Sequence, residues 1–175
     1  MRILLAACAA LMLAGCAGRP DLADPPLSTR DFELETFFDG HVVGYGQFQD
    51  RFGTVRRRFT VDVTGTWDGQ TLTLDERFRY ADGTTETRVW TLEQTGPETW
   101  AGSAPGVIGT AGGEERGDAF NWRYQIDLPV PDGTLRVQFD DWMWQVSETR
   151  VLNRAYMDKL GVEVGEVIIW FEKQR

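Results

Sequence analysis

Glu76, Arg88 and Asp141 are the residues whose type and spacing could support acid–base or ion-pair chemistry, and a turn between the first two fixes their relation. Ala81-Asp82-Gly83 separates two alternating segments. A three-residue loop ending in glycine suits a type I turn followed by a left-handed residue. That loop sets Tyr80 against Thr84 and, counting back, Phe78 against Glu86, Glu76 against Arg88, Leu74 against Trp90 and Leu72 against Leu92. A two-residue Asp-Gly turn would send Trp90 and Leu92 to the face opposite Leu72 and Leu74, so the longer loop is predicted. Glu76 and Arg88 then lie side by side on the inward face. A charge left alone there is costly, so pairing is expected. The pair reads either as a structural clamp on strand register or as a polar grip within a ligand cavity.

Asp140-Asp141 follows Val137-x-Phe139 and precedes Trp142-Met143-Trp144. Neighbouring strand residues point to opposite faces, so only one aspartate can face inward. Asp141 and Glu76 would make a hydrolytic carboxylate pair if both entered one cavity. The plainer expectation is a polar position beside a bulge, because the apolar parity changes at this point in the sequence. The single histidine, His41, has no second His or Cys to share a transition metal and is expected at the surface or rim. Neither Ser28, Ser103 nor Ser147 sits in a Gly-x-Ser-x-Gly elbow, so a His41-based triad is not expected. No phosphate-cradling Gly-x-x-x-x-Gly-Lys motif occurs, and Gly40, Gly44 and Gly46 are expected at bulges. No cofactor, no metal and no catalytic residues are predicted, and the chain is not read as an enzyme.

These side chains must be positioned by strands. Val55, Arg57, Phe59, Val61 and Val63 share one face in period 2, and Phe120, Trp122, Tyr124, Ile126 and Leu128 share another. Ile168 and Trp170 alternate with Val167, Ile169 and Phe171, so the last strand is expected to be covered on both faces. Turn signals at Asp68-Gly69, Asp82-Gly83, Gly96-Pro97 and Asp132-Gly133 punctuate the pattern. The small, nearly uncharged stretch from Gly102 to Gly113 reads as a flexible lid or, preferably, as two short strands curved by glycine. Short helical turns are expected at 29–36 and at 153–160, the latter alternatively a bulged strand. Asn153-Arg154, Met157, Lys159 and Gly161 are expected to surround a turn that closes one barrel end. The fold class is all-β: an antiparallel lipocalin-like (calycin-type) barrel of eight to ten strands with one or two short helices. Seven Trp and ten Phe favour an aromatic-lined barrel interior.

The opening segment is of another kind. Arg2 is followed by an apolar run from Ile3 to Ala14, a signal-peptide pattern too short to span a bilayer. Leu13-Ala14-Gly15-Cys16 matches the bacterial lipobox, so residues 1–15 are expected to be removed and Cys16 lipidated. Ala17, in place of Asp, fits sorting to the outer membrane. Residues 16–30, rich in Pro and Asp, are expected to form the lipidated cysteine and a flexible tether, with one domain over 31–175. Cys8 leaves with the signal and Cys16 takes lipid, which leaves the body without disulfides or thiol nucleophiles. Loss of Arg2 moves the formal net charge from −9 to −10. That balance excludes a nucleic-acid footprint and keeps the domain off anionic lipid except through its anchor.

Several motifs, taken together, resemble the DUF3833 family of lipoproteins. They are Phe38-Asp39-Gly40, Gly46-x-Phe48-x-Asp50-Arg51-Phe52-Gly53, Leu74-x-Glu76-x-Phe78-x-Tyr80 with Asp82-Gly83, and Arg88-x-Trp90. Gly117-x-Ala119, Asp141-Trp142 and Asn153-Arg154-x-x-Met157-x-Lys159-x-Gly161 follow, so the likeness runs from about Phe32 to Lys173. The resemblance implies export and lipid anchoring and carries no activity with it.

The expected role is a membrane-anchored barrel on the periplasmic face of the outer membrane that binds a lipid or other hydrophobic small molecule. Glu76, Phe78, Arg88, Trp90, Trp122, Tyr124 and Asp141 are its candidate ligand contacts, around a cavity of roughly 300 Å³ or more. The alternative is a filled barrel that docks an envelope protein partner through an exposed apolar patch.

Overall fold

The computed structural model describes residues 18–130 and 133–175; the expected signal segment, lipobox and lipidation site at Cys16 lie outside them. Alternating sequence becomes ten strands: β1 (Gly40–Asp50), β2 (Val55–Trp67), β3 (Thr71–Tyr80), β4 (Thr85–Gly96), β5 (Thr99–Ser103), β6 (Val107–Arg116), β7 (Ala119–Val130), β8 (Gly133–Ser147), β9 (Arg150–Lys159) and β10 (Val162–Lys173). Each pairs antiparallel with the next in sequence, and β10 pairs with β1, which closes the sheet into an up-and-down barrel. Closure leaves no unpaired edge strand to manage.

The β3–β4 hairpin has the predicted register at every pair from Leu72–Leu92 to Phe78–Glu86. Tyr80 N–H donates to the Thr84 carbonyl at 2.9 Å, and Gly83 takes the left-handed conformation that the turn requires (φ +84°). The Gly102–Gly113 stretch supplies the ends of β5 and β6, as the preferred reading had it.

Other expectations change. The helical segment near 29–36 lies a little later, as α1 (Leu34–Phe38). Residues 153–159 are strand, paired with β8 without interruption from Asp158 to Val151, and the nearby irregularity falls in β10 between Glu163 and Gly165. Asn153 and Met157 therefore face the interior, and α1 closes the barrel in place of the expected polar turn. Gly44 and Gly46 sit in regular ladder; the β1 irregularity lies between Phe48 and Gln49. These glycines make room for rings and branches: a Cβ on Gly44 would lie 2.6 Å from Val61 Cγ1, and one on Gly46 would lie 2.5 Å from the Phe59 ring. On the outer face of β10 Glu166 is buried, Ile168 half-buried and Trp170 36% exposed, so that face is covered only in part.

α1 lies across the barrel end where β2 joins β3, β4 joins β5, β6 joins β7 and β8 joins β9. Phe32, Leu34, Phe37 and Phe38 enter the main core there, with Phe38 edge-on to Phe171 at 5.5 Å. Two inward residues seat it. The Glu115 carboxylate accepts the Leu34 N–H at 2.8 Å, and Gly65 leaves space where a Cβ would strike the Phe38 carbonyl at 1.8 Å.

β8 keeps its parity from Val137 to Trp144, contrary to the expected shift there, and its irregularity against β9 lies further on, between Gln145 and Ser147. Phe139, Asp141 and Met143 line the interior while Trp142 lies outside, where it is nonetheless 1% exposed. The cover comes from the chain before α1. Arg19 donates to Asp158 (2.7 Å) and contacts Asp140 and Glu163, and Ser28 binds the Gln145 carbonyl and the Asp118 carboxylate, both at 2.7 Å. The stretch expected as a tether is thus laid along the outer wall from Arg19 to Ser28.

Candidate functional site

The interior holds a cavity of about 480 Å³ whose walls are mostly apolar. Its floor is Leu34 and Phe38 of the α1 segment, with Phe120 and Phe171; Arg57, Tyr80, Glu86, Leu128 and Leu135 stand near the other end. There the turns after β1, β3, β5 and β9 and the adjoining ends of β7 and β8 surround an opening. All seven predicted contacts line the cavity: Glu76, Phe78, Arg88, Trp90, Trp122, Tyr124 and Asp141. Trp90 stands edge-on to both Trp122 (5.8 Å) and Tyr124 (5.0 Å), which ties β4 to β7 across the interior.

Polar groups are concentrated at mid-height. Glu76 is the ladder partner of Arg88, but the expected ion pair is absent among the described residues. Arg88 instead donates to Glu86, two residues along its own strand, at 2.8 Å, and its guanidinium lies 5.5 Å above the Phe78 ring. Glu86 also accepts the Tyr80 hydroxyl at 2.8 Å. The reason is geometric: residues two apart on a strand project from the same face, and Glu86 reaches the guanidinium on the mouth side. Glu76 makes no hydrogen bond among the described residues and presents its carboxyl to the cavity.

Burial pushes Glu76 up to about 7; Arg88 offsets part of this and Glu86 adds to it. Asp141 also rises to about 7, through burial first, with the Asn153 amide opposing and the Glu76 and Asp140 charges adding. Tyr124 is raised by burial and then by Asp141. Glu76, Arg88, Tyr124 and Asp141 therefore sense one another across the interior. Near neutral pH the two carboxyls are shared between the ionised and neutral forms. A neutral carboxyl can donate a hydrogen bond as well as accept one.

Asp140 has the opposite environment on the outer wall. Burial raises its pKa, but the Asn121 and Arg123 hydrogen bonds (2.9 and 3.0 Å) hold it below the usual carboxylate range. His41 lies at the closed end, half exposed, against Asp62 at 3.3 Å. Among the described residues no group of three or more His, Cys, Asp or Glu side chains could hold a metal ion.

Sequence reasoning missed Asn153, Glu86 and Glu115. Glu86 was legible, since the predicted register already set it inward beside Phe78. Asn153 was hidden by the uncertain helix, and Glu115 by a glycine-rich strand with little alternation.

A closed antiparallel barrel with a helix across one end and an aromatic cavity is lipocalin-like in class. The chain belongs to the family described as "Protein of unknown function (DUF3833)", which matches residues 10–173. Among solved structures it is similar to the S-type phycobiliprotein lyase CPES from Guillardia theta (TM-score 0.60, 8% identity), over 82% of this chain and 94% of that one. A redesigned β-barrel, mFAP1, bound to DFHBI, gives a TM-score of 0.43 at 9% identity over 81% and 100% of the two chains. At these identities the first likeness concerns the fold. No curated protein matches in sequence.

Proposed function

We propose that this protein is a lipid-anchored barrel of the cell envelope, on the periplasmic face of the outer membrane, that carries a lipid or other hydrophobic small molecule. The observation that carries this reading is the 480 Å³ cavity with apolar walls and titratable groups at mid-height. A filled barrel would offer no such volume, which is why ligand carriage is preferred to docking of an envelope protein as the primary role. Pockets of this size and lining bury most of a small ligand and orient it with a few polar groups. The ligand is amphipathic: its apolar body lies against Trp90, Trp122 and Phe78. Its polar group meets Arg88, Glu76 and Asp141, whose carboxyls adjust their protonation to it. Anchoring rests on the lipobox ending at Cys16, and the outer-membrane address on Ala17.

Ala155 lines the cavity opposite the β3–β4 hairpin and provides the test. Ala155→Phe should fill part of the volume and weaken binding of a fluorescent fatty acid to the purified exported protein at least tenfold, about 1.4 kcal/mol. Native mass spectrometry of the parent protein, extracted from membranes, should show a co-purified small molecule that the variant lacks. Absence of bound lipid from the parent, with fatty-acid affinity equal in both proteins, would refute carriage.

A further inference from the structure

From the placement of its apolar tips we infer that the open end of the barrel docks on the bilayer, with Phe52 and Leu160 entering an anionic membrane surface. The inference rests on the anchored-carrier reading and adds which face meets the membrane and by which residues.

Phe52 in the β1–β2 turn is 81% exposed and Leu160 in the β9–β10 turn is 97% exposed. These turns are neighbours, because β1 pairs with β10 and the Arg51 N–H donates to the Val164 carbonyl at 3.1 Å. Val55, Val130 and Val162, also partly exposed, stand on the same rim. At the closed end the large apolar residues are instead buried beneath α1. Isolated exposed apolar residues are ordinary, but a cluster of them on neighbouring strand ends along one side of a cavity opening is not.

Leu160 is also the only non-glycine residue with positive φ among the described residues (φ +53°). The next residue is Gly161, and in such a tight hairpin a second glycine or an asparagine would be the relaxed choice. A leucine held in a left-handed conformation with its side chain in water contributes nothing to the core.

The rim carries cations beside its carboxylates: Asp50 pairs with Arg56, Asp82 with Arg57, and Asp158 and Glu163 with Arg19. Residues 51–58 hold four arginines and no carboxylate in a chain of net charge −9. Arg51 and Lys159 flank Phe52 and Leu160 directly, and neither has a carboxylate partner among the described residues. Anionic headgroups would meet these cations while the apolar tips pass beneath them. The overall negative charge would keep the remaining walls off the same surface.

The chain's path agrees. Arg19 is fixed to Asp158 and Glu163 beside the Leu160 hairpin. Two residues separate it from Cys16, so three chain steps span at most about 11 Å when extended. An acyl group on Cys16 would therefore hold the open end, rather than the α1 end, next to the bilayer.

The test places a single new cysteine at Phe52→Cys, Leu160→Cys or Glu98→Cys, the last in the closed-end turn. Each exported protein is purified, labelled with an NBD fluorophore and reconstituted in phosphatidylethanolamine vesicles containing phosphatidylglycerol and doxyl-labelled lipid. NBD at positions 52 and 160 should be quenched several-fold more than at 98. Introducing Arg51→Glu and Lys159→Glu should shift the docked-to-free ratio about fivefold for each charge removed. Equal quenching at all three positions, or strongest quenching at 98, would overturn the proposed orientation; that includes any outcome in which the rim contacts another protein or a second copy. The parent protein, labelled in parallel, reports separately on the anchor: uptake of NBD at Cys16 would refute acylation whatever the rim does.

Discussion

At the closed end, Phe32, Leu34, Phe37 and Phe38 are no more than 2% exposed and are held by one buried carboxylate, whereas at the open end Phe52 and Leu160 stand almost wholly in solvent. Both ends carry Phe and Leu, and what differs is the backbone behind them. The closed end has a chain segment that returns over the barrel and buries its apolar side chains against strands β2, β7 and β10. The open end has only tight hairpins, whose side chains have nothing to pack on. Apolar surface at the first end supports folding; at the second it is available to a ligand, a bilayer or a partner. The cavity between them inherits this polarity, with a packed floor and a charged, accessible upper half.

Removing floor packing should have the largest effect. Phe37 is 2% exposed and contacts Phe32 and Phe38 at 6.1 and 4.9 Å. Phe37→Ala should destabilise the protein by about 3–5 kcal/mol in denaturant titration. Phe52→Ala, the matching deletion at the mouth, should change stability by less than about 0.5 kcal/mol. If the two variants unfolded at the same denaturant concentration, the contrast between the ends would be void.

The interior carboxyls give the next effect, and it depends on pH. Glu76 has a native pKa of about 7 against an ordinary value of 4.5. Between these values the folded protein holds a proton that the unfolded chain has released, so stability falls as pH rises through this window. Asp141 and Glu115, also raised to about 7, act in the same direction. Ligand-free protein should therefore melt at a lower temperature at pH 8 than at pH 5. Glu76→Gln should be neutral at pH 4 and stabilising by about 1–3 kcal/mol at pH 8. A variant that loses stability at pH 8 would show instead that the Glu76 charge is needed by Arg88.

That experiment bears on where sequence reading succeeds. The β3–β4 register was legible because one glycine-ended loop and a period of two leave a single arrangement that buries Leu72, Leu74, Trp90 and Leu92 together. Register fixes which Cβ atoms are adjacent; it does not fix where a long side chain ends. Arg88 spans several ångströms and can reach Glu86 as easily as Glu76, so the right neighbours were given the wrong bond. The β8 segment misled for a different reason. Trp142 is buried on the outer face by chain from residues 19–28, and alternation describes only burial that comes from the barrel itself. The aromatic cavity was legible because eight strands, all but β5 and β6, contribute to it in period two. The closing helix was placed a few residues early, because its seat is made by Glu115 and Gly65, far away in sequence.

The smallest effect concerns Leu160, and it separates stability from use at the open end. Leucine in the left-handed region costs about 1–2 kcal/mol relative to glycine. Replacement by glycine also frees the unfolded chain, which takes back about 0.5–1 kcal/mol. Leu160→Gly should therefore raise stability by up to about 1 kcal/mol, measured as an upward shift of the urea midpoint with unchanged slope. The same substitution removes one of the two apolar tips, so the variant should be more stable in solution and less deeply docked on anionic vesicles. Leu160→Asn, which tolerates the left-handed conformation, should behave likewise. A gain in stability with no loss of docking would mean that the strained leucine serves neither the fold nor the membrane, and the rim would then have to work through Phe52 and the arginines alone.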